Sequence, residues 1–449
     1  MNILFVVMDT ARGDITNSMI AGGELSTLSS LADNGQFYRN AQANGPWTVP
    51  SHAAMFSGEY PTSMGVTGDS PTYNRIPLID DLSEFGFETA CFSANPWLSP
   101  EFGFDTSFDY FYNKYDYYQD GFSMTDIATS GKSITKILTD FSNGLKKNSV
   151  HKTFANFGFW IYQRLQREDT GGSHLLSRTE QWINDGKNRF AFVNITEPHL
   201  SYKLPADFLP AHVDGSQLKR IHQDTVAHNA GCSRISKSDC TLLRQVYRAT
   251  LRYVDSLLGR TIEGLNDDTV VIVAGDHGEH FGEHGRFGHQ YSLYQELLHV
   301  PLVVSGGRVE KKTIDDLVEL RNLYQLILEI SNKSGDRLPS KNYHIAETVS
   351  PTPPINDLRE QEGSNVPAYV EQYADGARCI MDNKMKLVEF ADRSLTVVET
   401  VDSIKPDAGR IDALHERLIT ECGEISYDSH SKLDVSGSVE SRLDDLGYV

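Results

Sequence analysis

Three apolar runs in this chain end on residues that bind metals or move protons. Ile3–Met8 ends on Asp9-Thr10, Thr269–Ala274 leads through Gly275 to Asp276-His277, and Arg189–Ile195 leads to Glu197-Pro198-His199. Carboxylates with an imidazole suit a divalent ion. A single Asp at a strand end caps a helix equally well, so the three ends together are more specific than any one. Residues 277–299 hold five of the chain's 15 histidines: His277, His280, His284, His289 and His299. Imidazoles beside an acidic strand end are the usual habitat of metal ligands and acid–base groups, although one or two of five are expected to be ordinary surface or core residues. The third signal is the stretch from Gly45 to Pro61, GPWTVPSHAAMFSGEYP. It reads as a turn entering a helix, with Pro50 near the first turn. Thr48 then lies near a helix N-terminus, where free N–H groups and the dipole favour an anion. A Thr48 or Ser51 that only caps the helix is the simpler reading of composition alone.

These residues need a frame that brings remote strand ends together. Continuous apolar runs are typical of buried parallel strands, whose C-terminal ends carry the chemistry in α/β sheets. Helices are expected over Leu25–Asn34, Pro50–Ser57, Leu78–Phe85 and Leu242–Leu265, and strands over Glu88–Ser93 and Pro301–Ser305. This alternation predicts an α/β fold: a mostly parallel sheet flanked by helices, over residues 1–335. From 336 to 449 the pattern changes. Short strands at Ala368–Gln372, Arg378–Met381, Lys386–Glu389 and Thr396–Val398 predict a small C-terminal antiparallel sheet, followed by a helix near 409–420. Residues 113–190 read as a helical insertion. Within it, 131–168 carries seven basic residues (Lys132, Lys136, Lys146, Lys147, Lys152, Arg164, Arg167) against Asp140 and Glu168. With its aromatics, that segment reads either as a solvated lid or as a peripheral contact with an anionic membrane surface.

Composition removes other classes. The 449 residues carry 41 Lys+Arg against 61 Asp+Glu, a net charge of −20. No general nucleic-acid binding is expected, because a phosphate-binding surface needs a basic excess. Five cysteines form no CxxC pair, so a disulfide framework is not expected and reduced thiols fit best. No apolar run reaches membrane-spanning length, and the N-terminus reads as a buried strand and not a leader. The expectation is a cytoplasmic protein.

Thr48-Val49-Pro50-Ser51-His52-Ala53-Ala54 with Ser57-Gly58-Glu59-Tyr60-Pro61 resembles the sulfatase signature. Asp276-His277-Gly278-Glu279 through Val300-Pro301-Leu302 is similar to that family's second block, and Glu197-Pro198-His199-Leu200-Ser201-Tyr202 to its Pro-His-x-Pro-Tyr stretch. Arg442-Leu443-Asp444-Asp445-Leu446-Gly447-Tyr448 resembles the tail of many microbial members. The resemblance implies an alkaline-phosphatase-like fold and a metal-dependent ester hydrolase. Sulfatases oxidise a Cys or Ser to formylglycine. Thr48 stands there instead, and its Cβ methyl forbids that aldehyde. Thr10 stands where many members carry a second Asp, His52 replaces an Arg, His277 an Asn, and His289 falls where a Lys is frequent.

The resemblance therefore implies a metal held by Asp9, Thr48, Asp276 and His277. The imidazole moves preference towards Mn²⁺ or Zn²⁺, with Ca²⁺ or Mg²⁺ also possible. Thr48 would attack, His199 or His289 would protonate the leaving oxygen, and Arg12 and His52 would orient the anion or the nucleophile. The expected reaction is cleavage of a phosphate mono- or diester. A sulfuric ester hydrolase, a phospho-group transferase and a non-catalytic binding protein on the same fold are the alternatives. The substrate expected is a small-molecule, glycan or lipid ester.

Overall fold

The computed structural model describes residues 1–114, 150–165, 169–218, 220–221, 223–307, 309–400, 407–424 and 442–443. An eight-stranded sheet forms its centre. Its strands are β1 (Asn2–Met8), β2 (Gln36–Gln42), β3 (Glu88–Ser93), β4 (Tyr110–Asn113), β5 (Arg189–Ile195), β6 (Thr269–Gly275), β9 (His299–Ser305) and β10 (Lys312–Glu319). The hairpin β7 (His280–Phe281) and β8 (Phe287–Gly288) lies between β6 and β9 in the chain. The spatial order is β10-β2-β9-β6-β1-β5-β3-β4. Only β9 runs against its neighbours, β2 and β6. The expected mostly parallel sheet is what the chain forms.

Strand β1 accounts for the layering. Its side chains alternate, Ile3, Phe5 and Val7 into one apolar cluster and Leu4, Val6 and Met8 into another, so both faces are covered. On the first face lie α3 (Thr48–Ser57), α4 (Pro77–Glu84) and α8 (Leu323–Asn332), and on the second α1 (Gly13–Ala21), α2 (Ser26–Asn34), α6 (Gly172–Asn184) and α7 (Lys237–Glu263). Helix α5 (Val150–Leu165) falls in the expected insertion. Residues 131–149 and 166–168 of the segment expected to make the membrane contact lie outside the described residues. Of the tail motif only Arg442 and Leu443 are described.

The C-terminal sheet runs β11 (Tyr343–Val349), β12 (Gly376–Asp382), β13 (Met385–Phe390), β14 (Leu395–Thr400), all antiparallel, with α9 (Ala408–Cys422) packed on it through Leu414 and Leu418. One expected strand is corrected. Ala368–Gln372 is a short helix begun by Pro367, and Val370 is its one buried side chain. The fourth strand is Tyr343–Val349.

An aromatic layer under the future site ties packing to function. Phe192 of β5 is fully buried and meets Phe5 at 5.5 Å, Phe56 at 4.9 Å and the His52 ring at 5.8 Å. Phe192→Ala is expected to cost about 3–5 kcal/mol, read as a lower urea midpoint at an unchanged slope.

Candidate active site

Strand register brings the acids together. Met8 stands opposite both Ile195 and Gly275, so Asp9, Thr196 and Asp276 emerge level from three adjacent strands. Thr10 then turns the chain at φ 57°, a left-handed conformation unusual for a β-branched residue. Three bonds hold it there. Its N–H donates to Asp276 Oδ1 (3.1 Å), its hydroxyl to the Pro198 carbonyl (2.8 Å), and its carbonyl accepts from the Tyr247 hydroxyl (2.9 Å). Thr10 thus orients Asp276 and fastens the loop that carries His199. Gly275 and Gly278 serve close approach: a Cβ on Gly278 would lie 1.9 Å from the Glu296 carbonyl oxygen, and one on Gly275 2.5 Å from that of Ala11.

Thr48 is the first residue of α3, and all ten residues of that helix are buried. Ser51 pins the helix to the sheet by donating to the Asp276 carbonyl at 2.7 Å. Asn95, in the loop after β3, joins the two halves of the site. Its Nδ2 donates to Asp9 Oδ2 (2.6 Å) and to Thr48 Oγ1 (3.1 Å), while its Oδ1 accepts from Trp97 N–H (2.9 Å). An amide nitrogen has two hydrogens, and both are used.

Asp9, Asp276 and His277 each present one ligand atom, all within 4.8 Å of one another. Asp9 Oδ1, Asp276 Oδ2 and His277 Nε2 are buried and have no hydrogen-bond partner among the described residues. Orphaned polar atoms in a buried cluster are costly unless a ligand completes them. Burial, reinforced by Asp9, pushes the Asp276 carboxyl well above the usual range. Burial, reinforced by His289, pushes His277 well below its usual value, which leaves the neutral imidazole that metals bind. A divalent cation satisfies all three atoms and both negative charges, so these residues fit one.

Three imidazoles adjoin. The His289 ring lies 4.6 Å from that of His277 and 5.2 Å from that of His199. Glu279 Oε1 is 3.1 Å from His289 Nδ1. Burial pushes the Glu279 carboxyl up to about 8 and lowers His289 well below its ordinary value. One proton shared between this pair satisfies both.

Other candidates are placed differently. Arg12 is buried and engaged by Asp14, by Glu283 at 2.6 Å and by the Glu279 carbonyl at 3.0 Å. These contacts hold α1 against the β7–β8 hairpin, and they occupy the guanidinium expected to meet an anion. His52 is fully buried. Its Nδ1 faces the Thr48 carbonyl at 2.9 Å and Asp276 Oδ2 at 3.7 Å, and its ring packs on Phe56, Phe104 and Phe192. Burial lowers it to about 4, so it is a neutral prop beneath Thr48. The remaining members of the histidine cluster are structural: His280 bonds Ser292, His284 stacks on Tyr294, and His299 meets the Arg39 carbonyl. Asn95 and Glu279 were absent from the expected set.

Residues 1–332 match the family model described as Sulfatase. The chain belongs to the sulfatase family. The sulfatase-family frame is shared with arylsulfatase K of Xenopus laevis, 23% identical over 461 residues and covering 94% of this chain and 79% of the relative. Among solved structures, the phosphonate monoester hydrolase of Silicibacter pomeroyi superposes with a TM-score of 0.64 at 17% identity, covering 93% of this chain and 94% of that one. A 2-O GAG sulfatase gives 0.59 at 14% identity, covering 93% and 91%. The fold is alkaline-phosphatase-like, as expected, and the protein is an ester hydrolase of that superfamily. Sulfatase-family enzymes use a divalent metal ion, which agrees with the donor set above.

Proposed function

We propose that this sulfatase-family hydrolase cleaves phosphate mono- or diesters with Thr48 as nucleophile. The observation that carries the reading is the Asn95 bridge, which ties the Thr48 hydroxyl to Asp9 beside three unpartnered ligand atoms. Asp9, Asp276, His277 and the Thr48 oxygen would hold a divalent cation. Oxygen donors with one imidazole suit Mn²⁺ or Zn²⁺ better than a site built for Ca²⁺. When bound, such an ion polarises an ester oxygen and lowers the pKa of a hydroxyl.

The chain's own residues account for the remainder. The N-terminus of α3 attracts the anion to Thr48. The Thr48 hydroxyl gives up its proton to solvent, its oxygen forms a bond to phosphorus as the bond to the leaving oxygen breaks, and His199 or His289 gives the leaving oxygen a proton. Burial holds His289 well below its ordinary value, and the negative charge of the incoming ester favours its protonated form. Water then attacks phosphorus, one of its protons returns to the imidazole, and the bond between phosphorus and the Thr48 oxygen breaks as that oxygen takes a proton back from solvent. Thr48 remains an alcohol because its Cβ carries a methyl, which supports phosphorus over sulfur. Sulfate esters are the second reading, favoured by the family match itself. Parallel assays of nitrophenyl phosphate, its diester, a phosphonate monoester and nitrophenyl sulfate, with Mn²⁺, Zn²⁺, Ca²⁺ and Mg²⁺ added singly, separate the two. Faster sulfate turnover than phosphate overturns the first reading.

Asn95→Ala is expected to lower kcat about 10–100-fold with little change in KM, as for loss of a group that orients a ligand. Asn95→Asp, although nearly isosteric, is expected to be worse, because it sets a third carboxylate against Asp9. Equal activity of the two variants would show that the bridge to Asp9 is unimportant.

A further inference from the structure

Beside the β7–β8 hairpin lie two adjoining cavities of about 510 and 570 Å³, both bordered by His228, Ile235 and Gly285. Lys237, Arg244 and Arg286 line the first and Arg234 the second, in a chain of net charge −20. Glu283 is the one carboxylate among these lining residues, and Arg12 (2.6 Å) and Arg244 (2.9 Å) already hold it. The first turn of α7 borders the groove through Lys237. Its helix dipole adds positive potential, and its Asp239 is tied to the Ser236 hydroxyl.

Arg286 is the telling residue. It is only 8% exposed, and no Asp or Glu pairs with it among the described residues. Its guanidinium lies 5.0, 4.5 and 5.4 Å from the ring centres of Tyr294, Tyr369 and Tyr373. One N–H donates to the Tyr291 carbonyl, and the Nε–H has no partner among the described residues. Aromatic faces offset part of the cost of burying a cation, and an anion would complete both the buried charge and its orphaned donor.

The groove is preformed. Gly231 sits at φ 75°, where a Cβ would lie 2.1 Å from the Asn365 carbonyl oxygen, and Asn365 N–H donates to the Ala230 carbonyl at 2.9 Å. Its two walls are therefore locked together. Phe287 lines it and stands two residues from His289, a span of at most about 7 Å along the chain.

We propose that this groove binds a second anionic group, a phosphate, sulfate or carboxylate, carried by the substrate away from the scissile ester. The proposal rests on the ester-hydrolase reading above. The test titrates inorganic pyrophosphate calorimetrically into the metal-loaded protein and two variants. One is Arg234→Gln/Lys237→Gln/Arg244→Gln, whose side chains are exposed or half-exposed; the other is Asp276→Asn. The wild type should bind in two events, the triple variant should lose the groove event, and Asp276→Asn should lose only the other. Loss of both events in Asp276→Asn overturns the groove and leaves the metal site standing. Retention of both in Asp276→Asn overturns the metal-site reading and leaves the groove standing. A second arm asks whether substrate supplies the anion. Glucose 1,6-bisphosphate should inhibit nitrophenyl phosphate hydrolysis at least about tenfold more tightly than glucose 1-phosphate, and the triple variant should lose that ratio. An equal ratio in both proteins means the groove takes a free anion, which overturns the assignment to substrate.

Discussion

A Thr48→Ala protein is expected to fold normally and to lose turnover by about 10⁴-fold, some 5 kcal/mol of barrier. Removing an attacking atom eliminates a step, so the loss belongs in kcat. Stability should change little, because the lost contact is one hydrogen bond from Asn95, about 1 kcal/mol. Thr48→Ser keeps the hydroxyl and is expected within about tenfold of wild type. Single-turnover kinetics on a phosphate diester, with mass spectrometry of the quenched enzyme, should detect a Thr48 adduct in wild type and none in the alanine variant. Full turnover by a folded Thr48→Ala protein would falsify the mechanism.

The second large effect separates activity from stability. Asp276→Asn is expected to bind metal at least about 100-fold more weakly and to be inactive. Without metal it should nevertheless melt above the metal-free wild type. The Asn oxygen keeps the bonds from Thr10 N–H and His277 N–H, and its amide can donate to the orphaned Asp9 Oδ1. The pH dependence follows from the raised Asp276 pKa. An acid whose folded pKa lies above its unfolded value of about 3.9 stabilises the fold below that value. The contribution is lost as pH rises through the folded pKa. The metal-free wild type should therefore weaken as pH rises from about 4, and the Asn variant should lack that component. Calorimetric melts with and without chelator, together with metal analysis of the purified proteins, read all three effects. A metal-free variant that melts below wild type overturns the account.

The acids were legible because a buried parallel strand is an unbroken apolar run, and Asp9 and Asp276 stop two of them. Asn95 follows the same rule less visibly. Strand Glu88–Ser93 pairs with β5, and its end delivers Asn95 to the same edge. A neutral amide in a loop carries no charge or motif to attract notice. Strands β2 and β10 were missed for another reason. Lys312–Glu319 is an edge strand with a bulge and mostly polar, exposed side chains, so period-two burial is broken. Ala368–Gln372 was misassigned because five residues fit either period. The positions of Arg12 and His52 depend on partners distant in sequence, Glu283 and the phenylalanine layer, which no local pattern announces.

The level ends of β1 and β6 also bear on biosynthesis. Asp9 is synthesised well before its counterparts Asp276 and His277, which follow a strand much later in the chain. A nascent chain stalled before β6 would hold only part of the proposed cage, so ion capture would not nucleate folding as it does in a zinc finger. An ion held by these residues would come last and act as a seal on a sheet already assembled.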